Sequence, residues 1–108
     1  MSLGKAYELQ GKFDEAIAAF QKSIELKPEF TFSLYELGYV YMKQGRFEEA
    51  IQPLQKLISV EPKHVYGNHA LGMAYARTGN KTAAMQQYYI LKDLDARAAA
   101  DLLQAIPK

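Results

Sequence analysis

The chain has 108 residues, 13 of them basic and 12 acidic for a formal net charge of +1, and no cysteine. This length suits one domain whose core needs no metal or disulfide staple, and the charges are interspersed, which argues against a nucleic-acid partner because backbone phosphates call for concentrated Lys and Arg. Disulfides, thiol catalysis and thiolate metal sites are excluded, and the longest uncharged stretch, His64 to Ala76, is 13 residues, short of the ~20 that span a bilayer.

From the first residues onward one skeleton returns at a fixed distance. Gly4, Tyr7, Gly11 and Ala16 are followed by Gly38, Tyr41, Gly45 and Ala50, then by Gly72, Tyr75, Gly79 and Ala84, every step 34 residues. Self-similarity at that period marks a repeat architecture. In the first copy Asp14 and Glu15 open a second helix, where carboxylates meet the favourable end of the helix dipole, and Pro28 closes it. Its first helix lacks the four residues that would precede Met1, so the copy reads as a truncated unit of a longer array.

In the middle copy, Leu34, Leu37 and Tyr41 recur at helical spacing between Thr31 and Gln44, and Gly45 stops the pattern where a left-handed cap would sit. A second periodic run passes through Phe47, Ala50, Ile51, Leu54, Leu57, Ile58 and Val60 until Pro62 ends it. Pro53 falls near the first turn, where orphan donors exist anyway, so a mild bend on the outer, convex side is expected rather than a broken helix. The third copy repeats the pair, its second helix running from about Thr82 to Leu94. Asp95 can then cap a last helix, Ala96 to Ile106, with Ala99, Leu102, Leu103 and Ile106 on one stripe, the cover that solenoids use for their final apolar face.

The middle segment, Leu34-x2-Leu37-Gly38-x2-Tyr41, then Ala50-x3-Leu54, then Pro62, resembles a tetratricopeptide repeat. Leu34 stands where that family usually has Trp, and Leu54 where it usually has Phe. The upstream copy offers Leu3, Gly4, Tyr7, Ala16, Phe20 and Pro28. The downstream copy offers Leu71, Gly72, Tyr75, Ala84 and Tyr88, with Asn68 in place of the aromatic and Ala96 in place of the proline. The resemblance implies an all-α, right-handed superhelix of antiparallel helix pairs: a first repeat at 1–30, a second at 31–64, a third at 65–95 and a capping helix at 96–106. Gly38 with Ala50, and their counterparts, are small residues on apolar faces that let paired helices approach closely.

Catalytic chemistry finds no support. His64 and His69 are five apart, about 140° around a helix, and do not converge on a metal; there is no glycine-rich phosphate loop or nucleophile elbow. No cofactor or metal is implied, and an enzyme would need a residue pair hidden near His69. A second stripe is more informative. Phe32, Tyr35, Tyr39 and Met42 cluster about 130° from the Leu34, Leu37 and Tyr41 side, Tyr66, His69 and Met73 continue the stripe in the next copy, and Lys43 and Arg77 stand at its ends. In the resembled family, first helices line a concave surface that takes extended peptides or partner helices. These nine residues are therefore the expected groove of a non-catalytic protein interaction module, with packing of one first helix on the next as the competing explanation.

The clamp by which some members hold acidic C-termini is not matched: Glu36, Tyr66 and Ala70 occupy its positions and only Lys5 is basic. An apolar, tyrosine-rich segment flanked by a few charges is the expected ligand. The rival expectation is a structural or self-association array within a larger parent, including a homodimer through the truncated first repeat. No membrane partner is expected, and a soluble, cytoplasmic setting is favoured.

Overall fold

A computed structural model describes residues 3–107. The described residues form seven helices: α1 (Leu3–Leu9), α2 (Phe13–Leu26), α3 (Thr31–Lys43), α4 (Phe47–Val60), α5 (Val65–Arg77), α6 (Lys81–Leu94) and α7 (Ala96–Ala105). Each helix packs on the next through α6, and α7 lies against both α5 and α6. The result is three stacked hairpins closed by a single helix.

The hairpin turns follow from one backbone device. Gly45 adopts φ 74°, a left-handed conformation that carries no steric penalty without a Cβ. Its N–H then reaches Met42 O at 3.0 Å and the Arg46 N–H reaches Tyr41 O at 2.9 Å, which satisfies carbonyls the helix end would leave orphaned. The turns at Gly11 and Gly79 have the same geometry. Helix starts are less uniform. Asp95 caps α7 by accepting from the Arg97 and Ala98 amides, as its position suggests, and Asn80 caps α6 through the Ala83 amide. Neither Lys12 nor Arg46 supplies a side-chain cap to α2 or α4, but both helices carry two acids in their first turn, where the dipole favours them.

Close helix crossing is set by the recurring glycines. A Cβ on Gly4 would lie 2.6 Å from the Phe20 ring, and one on Gly38 would lie 2.6 Å from Leu54, so neither position accepts a side chain without repacking. Leu54, Leu57, Val40 and Phe20 are almost completely buried around these crossings, each contributing about 1.5–3 kcal/mol by leaving water. Gln21 donates to the Tyr41 hydroxyl, and 34 residues later Gln55 donates to the Tyr75 hydroxyl, so each second helix is tied to the next first helix. α4 runs unbroken through Pro53, whose side chain is buried and lines a cleft with Gln21 and Tyr41. No helix among the described residues is long and apolar enough to cross a membrane.

Candidate functional site

Three tyrosines and a histidine form a shelf where α3 meets α5. Tyr35 and Tyr39 sit one helical turn apart, their rings stacked at 6.0 Å, and the Tyr66 ring lies 6.3 Å from Tyr35. His64 stands between the helices, 5.7 Å from Tyr35 and 6.4 Å from Tyr66. Its Nδ1 accepts the Gly67 amide at 2.8 Å, capping α5, so this ring is fixed by the backbone. Tyr35 is half-buried while Tyr39 and Tyr66 are 36% and 70% exposed. Burial, then the neighbouring Glu36 carboxylate, raises the Tyr35 hydroxyl pKa; the phenol stays a neutral donor.

One end of the shelf carries cations. Lys43 Nζ lies 4.8 Å from the centre of the Tyr39 ring and Lys5 Nζ lies 5.8 Å from it, geometry that adds cation–π attraction. Both lysines are held by acids. Glu8 accepts from Lys43 at 3.0 Å and from Lys5 at 3.3 Å, and Glu36 accepts from Lys5 at 3.1 Å. The Glu8 side chain is only 1% exposed and that of Glu36 9%. Burial opposes the charged form of Glu8, but hydrogen bonds from Lys43 and Lys5 outweigh it and lower the pKa. For Glu36 burial prevails over the single Lys5 contact and the pKa is raised. Hydrogen bonding to Glu8 raises the Lys43 pKa. With all four side chains ionised, two positive and two negative charges cancel.

Of the nine residues expected to form the groove, Tyr35, Tyr39, Tyr66 and Lys43 come together. The other five have their own neighbours. Phe32 meets the Phe30 ring at 5.9 Å. Met42, like Tyr35, packs on the core that runs from α2 to α5, and Met73 packs on a second core beneath α7. His69 Nε2 is 2.6 Å from the Asp101 carboxylate of α7, and the Arg77 guanidinium lies 5.9 Å from the Phe47 ring of α4. Among the described residues no group of His, Asp or Glu could hold a metal ion.

The buried acids escaped the reading of polarity, but the repeat register points to them. Glu8 aligns with Met42 and Ala76, and Glu36 aligns with Ala70; Ala70 and Ala76 are buried and Met42 partly so. Glu8, an acid in a row that is apolar elsewhere, must find a partner. His64 escaped because a ring nitrogen capping a helix has no spacing signature.

Comparison with known proteins bears on this geometry. The TPR repeat profile matches residues 4–45 and again 38–79. The chain belongs to the TPR repeat family. Among solved structures, this TPR chain is similar to MamA with a TM-score of 0.91 at 28% identity, over 97% of this chain and 63% of that one; it thus spans less than two thirds of MamA. It is also similar to the second TPR domain of human RPAP3, solved in complex with the HSP70 peptide SGPTIEEVD (TM-score 0.89, 20% identity, 97% of this chain and 89% of that one). A third similarity is to PcrH in complex with the chaperone binding region of PopD (TM-score 0.83, 21% identity, 95% and 85%). At these lower identities the likeness shows the fold alone. No curated protein matches by sequence.

Proposed function

We propose that this TPR array is a non-catalytic interaction module whose Tyr35, Tyr39 and Tyr66 shelf takes an uncharged, apolar or tyrosine-rich segment of a partner protein. One observation carries the reading: the rings form a continuous, partly exposed row beside cations already neutralised by buried acids. Tyrosine is favoured at such surfaces because it offers a large rigid area and a hydroxyl. The peptide complexes of RPAP3 and PcrH support the use of this fold for segment binding. The acidic end of the HSP70 peptide bound by RPAP3 does not suit this shelf.

The test is selection of a random peptide library on the intact chain. Enrichment of uncharged aromatic or apolar sequences is expected, and Tyr39→Ala with Tyr66→Ala should weaken the selected peptides by on the order of 1–2 kcal/mol per ring without changing the melting temperature. Both rings are exposed, so folding tolerates the pair. Selection of no sequence, or binding unchanged in the folded double variant, would overturn the reading.

Self-association is a second reading, favoured by an apolar cleft of about 380 Å³ between α1 and α2, lined by Gly4, Phe20 and Leu26 with exposed Leu3 and Phe30 at its edges. Light scattering over a concentration series checks it: a rising mass that Leu26→Lys abolishes is the expected signature.

A further inference from the structure

We propose that Glu8 is the specificity-determining residue of this shelf, an internal anion that occupies the Lys5 and Lys43 pair and so excludes acidic ligands. The inference deepens the reading of the tyrosine shelf as a binding surface and rests on it.

Glu8 comes from the last turn of α1, while Lys43 ends α3 and lies 35 positions away. Its two carboxylate oxygens are divided between the two ammonium groups, Oε1 to Lys43 and Oε2 to Lys5. This is the arrangement a ligand carboxylate would seek, already satisfied from below the ring of Tyr39, which both lysines approach. Glu36 adds a second acid on Lys5. An incoming acidic segment would have to displace a nearly unexposed carboxylate from both cations, leaving that carboxylate buried and unpaired, which is costly. An uncharged segment crossing the rings disturbs none of these contacts. The residue in the Glu8 row is therefore what distinguishes a neutral shelf from one that would capture carboxylates.

Replacing Glu8 by Gln keeps the shape, removes the charge and leaves Lys43 without an anionic partner, so the four-residue group gains one net positive charge. The probe is a fluorescently labelled peptide of ten residues ending in three acidic residues and a free carboxylate, titrated by anisotropy. E8Q should bind it at least about tenfold more tightly than the parent chain, the scale of one charge-assisted hydrogen bond. That gain should shrink as ionic strength rises towards about 1 M. It should also vanish in E8Q combined with K43M. Equal binding by parent and E8Q, a folded E8Q with no gain, or a gain that survives K43M would each overturn the proposal. If E8Q does not fold, E36Q gives a second reading, with a smaller gain in the same direction expected because Lys5 loses the Glu36 carboxylate; its absence counts against the proposal equally. A tyrosine-rich uncharged peptide titrated in parallel separates the two claims. Loss of its binding to the parent chain defeats the shelf as a binding surface, while the acidic probe still reports on Glu8.

Discussion

In the middle hairpin Gly38 receives Leu54 from the helix that follows it, whereas in the last hairpin Gly72 receives Leu102 from α7, one helix further along. A Cβ on Gly72 would lie 2.5 Å from Leu102 and 3.2 Å from Gln87 Cβ. Tyr88, in register with Leu54 and Phe20, packs instead at the border of the second core and meets the Tyr89 ring at 5.4 Å. The two hairpins also differ in polarity. The buried Oδ1 of Asn68 and Oε1 of Gln87, both in the last hairpin, have no hydrogen-bond partner, though Asn68 Nδ2 donates to the Pro62 and His64 carbonyls. The same glycine thus marks a close approach in every repeat without deciding which side chain fills it, and the final repeat depends on α7 for what the middle one obtains from within itself.

The sharpest way to break that comparison is to empty both notches. Leu54 and Leu102 are each fully buried, so Leu54→Ala and Leu102→Ala should each cost about 2–5 kcal/mol in urea unfolding. Amide exchange should separate them: Leu102→Ala should deprotect α5 to α7 while α3 and α4 keep their protection, and Leu54→Ala should loosen the centre. Identical exchange patterns would mean that α7 belongs to one cooperative core and is no separate cover.

A smaller effect is expected from the acids linking α1 to α3, which the last hairpin lacks. Glu8 has a pKa below the ordinary glutamate value. Its stabilising contribution is therefore complete above that ordinary value and is lost as pH falls through the lowered one. Glu36 runs the other way: its raised pKa means that ionisation costs the fold stability as pH climbs from the ordinary value through the raised one. Glu8→Gln should destabilise by about 1–3 kcal/mol at neutral pH, a deficit that closes on acidification. Glu36→Gln should change neutral stability by less than about 1 kcal/mol and flatten the profile just above the ordinary carboxylate value. Urea melts between about pH 7 and 3 check both, and profiles of the same sign for the two variants would contradict the assignment.

The smallest effect belongs to the surface pair that ties α5 to α7. With the Asp101 side chain 65% exposed, Asp101→Asn should cost no more than about 1 kcal/mol, well below Leu102→Ala. A loss as large as the leucine's would show that the polar contact, and not the glycine notch, holds α7.

The fold was legible because its determinants are local and periodic. Gly45 and its counterparts mark turns, Asp95 marks a helix start and Gly38 marks a crossing, each requiring only a residue and its register. The shelf was legible at Tyr35, Tyr39, Tyr66 and Lys43 for the same reason. Met73, Phe32, His69 and Arg77 share the helical stripe but answer to neighbours outside it: the core beneath α7, Phe30, Asp101 and Phe47. A one-helix projection contains none of these partners. Glu8 and Glu36 illustrate the converse, since charge suggests solvent and only a lysine on another helix makes burial affordable.

The cap on α5 makes one imidazole a natural reporter. Because Nδ1 of His64 accepts the Gly67 amide, a neutral ring carries its proton on Nε2, and a ring flip would forfeit the cap. The tautomer is therefore written into the backbone, and its nitrogen resonances should be those of a single form. Tyr35 and Tyr66 both pack against that ring, the three rings meeting in a triangle, so ring currents from both reach it. A segment settling across the tyrosines would shift the His64 carbon-bound protons while leaving those of His69, which faces Asp101, in place. Occupancy of the shelf can thus be read by magnetic resonance from a residue the chain already possesses, with no label attached to the surface being measured.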